Sequence, residues 1–253
     1  MTTTRSIAHH GSRRRTPLRV AALGAIVALA SPLVACGSTA SEAAPINQPS
    51  RPPVVQVEKD AGHHMNMPDG SRTPSESALY QAIQNLWQQH MEWTYAAIAA
   101  FAVDSPTFPA TADRLLQNQV DIGKALEPVY GKDAAGKLTA LLQDHIKGVV
   151  AILTAAKAGD SVAQNQAVAD EYGNAKAIGD FLAEANPSHW EQADMEAMMK
   201  THIDQTLVYA TDLLTGGYAQ AITHYGEAEA HMVEMGDMLA AGMIAQFPDL
   251  FTK

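Results

Sequence analysis

The chain has 253 residues, 47% of them hydrophobic, a formal net charge of -10 and a single cysteine. That apolar share is enough for a buried core, whereas the acidic balance argues against nucleic acid or anionic lipid as partners and is compatible with cations. One cysteine leaves no intrachain disulfide and no thiolate metal site.

At the N-terminus, Arg5, Arg13, Arg14, Arg15 and Arg19 form a basic stretch ahead of an apolar run over 20–30. The run is too short for a permanent membrane span, and with the small residues that follow it reads as a signal peptide over 1–35. Leu33-Val34-Ala35-Cys36 resembles the lipobox of bacterial lipoproteins. The resemblance implies cleavage before Cys36, a palmitate-type lipid on that cysteine, and a mature protein anchored to the extracytoplasmic face of the cell membrane. Losing the five arginines would take the formal charge from -10 to -15. Arg14-Arg15-Thr16-Pro17-Leu18 is similar to a twin-arginine signal but has proline where an aromatic is usual, so the export route stays open.

Residues 36–72 are rich in Ser, Ala, Pro and Gln and read as a disordered tether. Within it, His63-His64-Met65-Asn66-Met67 is a candidate copper tract, since His63, His64, Met65 and Met67 combine imidazole with thioether.

From residue 73 to 253 the pattern is helical throughout. Thr73-Pro74-Ser75-Glu76 fits a capping box with proline at the first helical position, opening helix 1 to about residue 103. Helix 2 is expected over about 109–129, a turn at 130–133, helix 3 to 158 and helix 4 from Gly159-Asp160 to about 185. Ser188-His189-Trp190-Glu191 reads as a second capping box before helix 5. Gly216-Gly217 precedes helix 6 at about 218–246. No window of alternating β-branched residues competes, so the expectation is an all-α bundle of about six helices. Asn118 to Gly123 aligns with Asn174 to Gly179, and Leu141 to Ile146 with Met198 to Ile203. His90-Met91 matches His231-Met232. These matches imply an internal pseudo-twofold repeat.

Four histidines fall within apolar stripes on four helices at 3.6-residue spacing. His90 shares its face with Ile83, Trp87 and Ile98; His145 with Leu138, Leu142 and Ile152. His202 lies with Met195, Met199 and Tyr209, and His231 with Met235 and Leu239. A buried imidazole has to be hydrogen-bonded or coordinated, because leaving it unsatisfied costs on the order of 1–3 kcal/mol. Two solutions stay open. In one, the histidines pair separately with Asn118, Asn174, Thr94 or Thr206, giving a structural or interaction lipoprotein of the envelope with a polar core layer. In the other, inward-facing histidines hold a metal. The candidate ligands are His90, His145, His202 and His231, with Glu227 and His224 on the face of His231. Asn118, Asp121, Asn174 and Arg114 are candidates for the supporting shell.

Histidine and carboxylate without thiolate suit zinc, iron or copper, and haem stays open. Eight of the eleven methionines (65, 67, 91, 198, 199, 232, 235 and 238) lie in or beside the histidine clusters, where packing explains the helical ones as well as copper does. The Glu-x-x-His pairs of di-iron bundles are missing. A Gly-rich phosphate loop, a Gly-x-Ser-x-Gly elbow and a His-Glu-x-x-His motif are missing too. An enzyme acting through a metal-bound water is a third reading, and no protein partner is specified.

His90-Met91-Glu92-Trp93-Thr94, the stretch Arg114 to Gly123, Leu141 to Ile146 and Met238 to Gly242 with Gln246-Phe247-Pro248 resemble a family of helical proteins from Gram-positive bacteria. The likeness covers about 80–250. It implies the domain boundaries and the helical fold, and carries no activity with it.

Overall fold

A computed structural model describes residues 72–253; the expected signal peptide, Cys36, nearly all of the tether and the tract His63, His64, Met65 and Met67 lie outside the described residues. Those described are all helical, with five helices and no strand: α1 Pro74–Ala102, α2 Phe108–Ala158, α3 Ser161–Ala185, α4 Gln192–Thr215 and α5 Tyr218–Gln246, then a 3-10 turn, Pro248–Phe251.

The capping box at Thr73 forms as expected: its side chain accepts from Glu76 N, and the Glu76 carboxylate accepts from Thr73 N at 2.7 Å. The expected turn at 130–133 is tighter than the sequence suggests. Only Gly131 leaves helical geometry (φ 81°, ψ 166°), a left-handed φ that an L side chain adopts with strain. The helix doubles back there, bringing Gly123 so close to Ala135 and Thr139 across the turn that a Cβ on it would overlap them. The helices expected as 2 and 3 are therefore two arms of α2. At 188–191 the expected capping box does not form. Trp190 is instead drawn into the core, stacking at 5.8 Å from Tyr130, and Asn186 O takes the amides of His189 and Trp190. As a result α4 starts at Gln192, without a side-chain cap on Glu191.

Helix packing runs in a closed ring: α1 on α2, α2 on α3, α3 on α4, α4 on α5, and α5 back on α1, with α1 also touching α4. Side-chain pairs fix the directions. Gln84 bonds Asp237 at 2.5 Å while Tyr95 packs on Tyr225, so α1 and α5 are antiparallel. His231 reaches Met198 while His224 reaches Asp212, so α4 and α5 are too. The start of α1 and the C-terminal residues close the ring, with Thr73 Oγ1 donating to Phe251 O and Ser75 N to Lys253 O, both at 2.7 Å. α1, α4 and the second arm of α2 face one another at the centre. By length and composition α2 is apolar enough to cross a membrane. Its reversal at Gly131 and its buried Leu138, Leu142, Val149 and Leu153 make it a core element.

Close approach of neighbouring helices depends on small residues. A Cβ on Gly179 of α3 would lie 2.8–3.0 Å from backbone atoms of Met195 and Glu196 in α4. Backbone cannot give way as a side-chain tip can. Gly179→Ala is therefore expected to destabilise by about 1–3 kcal/mol, despite the better helix propensity of alanine. The urea midpoint should fall with an unchanged m-value; a rise would show that α3 and α4 have room to spare.

Candidate metal centre

Helical periodicity brings one histidine from each inner segment to the same level of the core. His90 of α1, His145 of the second arm of α2 and His202 of α4 are 1%, 2% and 1% exposed. Their ring centroids form a near-equilateral triangle of 6.1, 5.6 and 5.5 Å. Each can offer one ring nitrogen such that the three lie within 4.8 Å of one another.

Two of the three rings have a polar partner behind them. His145 Nδ1 is paired with Glu171 Oε1 of α3, a carboxylate 1% exposed. Glu171 fits because residue 148, one turn beyond His145, is glycine: a Cβ there would overlap Glu171 Oε2. With an ionised carboxylate on Nδ1, the proton sits on that nitrogen and the Nε2 lone pair is left free. His90 Nδ1 lies 3.1 Å from the Gln119 amide, whose Oε1 is buried without a partner. Gln119 Nε2 also donates to Leu115 O at 2.9 Å and to Asn118 Oδ1 at 3.2 Å, and these two bonds fix the orientation of its amide beside His90. His202 Nδ1 is buried with no partner at all.

Burial dominates the protonation of this cluster. Desolvation pushes the His90 imidazole down to about 3, with His145 adding to the effect, and desolvation likewise holds His202 well below the usual histidine range. Both are neutral at pH 7, the form that ligates metals. The unfolded chain takes up protons on these residues below about pH 6.5, while the folded state does not. Stability contributed by the neutral rings is thus complete above that pH and lost as pH falls toward 3, by about 1 kcal/mol per pH unit for each ring. Denaturation of the metal-free protein followed from pH 7 to 4.5 should show a falling urea midpoint. A flat profile would mean that the rings are hydrated.

No protein family model, curated protein or solved structure matches the chain. The functional reading therefore rests on this geometry.

The other sequence candidates sit elsewhere. His231 is partly buried, and its Nε2 donates to Met198 O at 3.1 Å, so that nitrogen carries a proton. His224 pairs with Asp212 at 2.6 Å, and Glu227 is exposed. Arg114 and Asp121 pair with each other at 3.5 Å, and Arg114 also bonds Gln89 at 2.9 Å; no histidine bond falls to Asp121. Asn118 and Asn174 reach backbone rather than imidazole, donating to Leu86 O at 3.0 Å and Leu141 O at 3.1 Å. Thr94 donates to His90 O at 2.6 Å. Leu86, Leu141 and Met198 each stand four residues before a central histidine. Their carbonyls are taken by Asn118, Asn174 and His231 respectively, so His231 occupies the place that asparagine holds on the other two segments. Residues the sequence reading missed are Glu171 and Gln119. The available signal was Gly148, an otherwise costly helix-interior glycine.

Proposed function

We infer that the protein is a metal-binding helical bundle that holds one transition-metal ion between His90, His145 and His202. The observation that carries this reading is the convergence of three buried imidazoles from three separate helical segments, two of them, His90 and His202, held neutral by burial. One of them has a carboxylate behind it and another has no protein partner for its Nδ1. Nitrogens bound to one ion at the usual zinc distance lie about 3.3 Å apart, so the rings need to close by roughly an ångström, within reach of side-chain rotation. Three nitrogens and no thiolate suit zinc or copper. Mononuclear iron sites of the facial-triad type would put a carboxylate on the ion itself, which makes iron the weaker choice. The resemblance at Leu33 to Cys36 supports carriage on the extracytoplasmic membrane face by a lipidated Cys36.

The internal repeat supports one central site. Asn118, Asn174 and His231 are each followed five residues later by Gly123, Gly179 and Gly236, and eight residues later by Leu126, Leu182 and Leu239. Each glycine abuts the next inner segment: Gly123 the second arm of α2, Gly179 α4, and Gly236 α1 at Trp87. Counting the arms of α2 separately gives six segments. They read as three helical hairpins, each contributing one central histidine. This accounts for the match of the two halves, whereas His90-Met91 and His231-Met232 fall at non-equivalent positions, His231 standing where Asn118 and Asn174 do.

A bundle without metal, stiffened by a polar core layer, is the second reading. It is favoured by the bonds that Gln119 and Glu171 already supply to His90 and His145. His202, whose Nδ1 has none, weighs against it. Elemental analysis of the full chain, purified without a histidine tag or chelator, tests the choice. About one equivalent of zinc or copper is expected. A protein that carries no metal and takes up neither zinc, copper nor iron would leave the structural reading.

A further inference from the structure

The two sides of the histidine layer differ in chemistry. One turn before it, the inner segments bring Trp87, Leu142 and Met199 together, all buried and apolar apart from the indole nitrogen. One turn after it come Thr94, Val149 and Thr206, and further along the same face of α4 stands Tyr209. Thr94 spends its hydroxyl on His90 O. Thr206 Oγ1 and the Tyr209 hydroxyl, on residues 1% and 0% exposed, face each other without a close hydrogen bond, and neither meets any other polar group. With His202 Nδ1, which has no partner, they place three buried polar atoms at spacings of four and three residues, one continuous row on one helix face. Each such atom is destabilising unless a partner meets it. Valine and phenylalanine would fill the same two positions without that cost. The row also leads outward: Tyr209 packs 6.2 Å from Tyr95 and 5.9 Å from Tyr225, and both of these are only partly buried. Burial keeps the Tyr209 phenol protonated well above the usual tyrosine range.

We propose that this row admits and holds a small exogenous ligand, a water molecule or a small anion, at the coordination position that the three histidines leave open, with Thr206 and Tyr209 as its hydrogen-bond partners. The inference rests on the metal reading above and deepens it. A structural zinc site is closed by four protein ligands, whereas three protein ligands with one exchangeable position is the pattern of a site that meets small molecules. The polar row lies on one side of the layer only, and the other side offers a small ligand no comparable run of polar side chains.

The test loads the full chain with cobalt(II), reads its visible spectrum and titrates sodium azide. The wild type should show a saturable shift of the cobalt bands. Thr206→Val and Tyr209→Phe, each near in shape to the original, should keep one equivalent of cobalt and bind azide roughly tenfold or more weakly, as expected for losing a hydrogen bond to a charged ligand. Cobalt bound with a spectrum that azide does not alter would overturn the inference and leave the metal reading standing, with Glu171 the first suspect for closing the site. Azide affinity unchanged in both variants would also overturn it. Cobalt that fails to bind at all would overturn both readings.

Discussion

His202→Leu is expected to make the metal-free protein more stable and, in the same stroke, to abolish metal binding. The ring of His202 is fully enclosed, its Nδ1 meets no partner, and burial keeps it neutral. Without an ion it contributes a desolvated polar group to an apolar core. Leucine removes that cost, on the order of 1–3 kcal/mol, at similar volume. With an ion present the ranking should reverse. A ligand at a thousand times its dissociation constant adds about 4 kcal/mol to the state that binds it, and only the wild type can collect this. Thermal unfolding in chelator and in excess zinc reads both effects. If His202→Leu is the less stable protein in chelator, the histidine is a packing element and the metal reading loses its main physical motive.

Glu171 has the second large effect, and its two variants act in different ways. Glu171→Gln keeps the shape but removes the charge behind His145, so metal affinity should fall 10- to 100-fold while the fold persists. His145→Ala leaves the Glu171 carboxylate buried with no partner, and breaking a buried pair in this way costs about 3–5 kcal/mol. Gly148→Ala should resemble Glu171→Gln in metal affinity, because its methyl group occupies the place of Glu171 Oε2 and displaces the carboxylate from His145. It should also lower stability, since the displaced carboxylate has no second partner among the described residues. Competition titration with a zinc chelator measures the affinities. Equal affinity in wild type and Glu171→Gln would show that the carboxylate takes no part in orienting the site.

Helix positions were legible because their signals are local. The Thr73 box, the glycines at 159 and 216 and the apolar stripes each act within a turn or two of chain, and the 3.6 period alone put His90, His145 and His202 inside. It put His231 on an apolar stripe as well. Periodicity gives the face and not the direction of the side chain, which is why a ring aimed at the Met198 carbonyl looked the same as one aimed at the cluster. Asn118 and Asn174 illustrate the same limit: their stripe was readable, while their choice of a backbone carbonyl over an imidazole depended on the stagger between neighbouring helices. Glu171 was hidden for a different reason. It sits in Ala169-Asp170-Glu171-Tyr172, which reads as a solvated face, and it is buried only because Gly148 on another helix leaves space for it. The lost capping box at 188–191 reflects tertiary override, with burial of Trp190 outweighing a local hydrogen bond.

The measurement that bears most directly on the central claim is X-ray absorption at the metal edge of the zinc-loaded full chain. Three imidazole nitrogens at about 2.0–2.1 Å, with the scattering pattern of histidine rings and one oxygen or nitrogen neighbour that is not imidazole, are expected. Sulfur in the shell, or an ion surrounded by oxygen alone, would contradict a centre built from His90, His145 and His202.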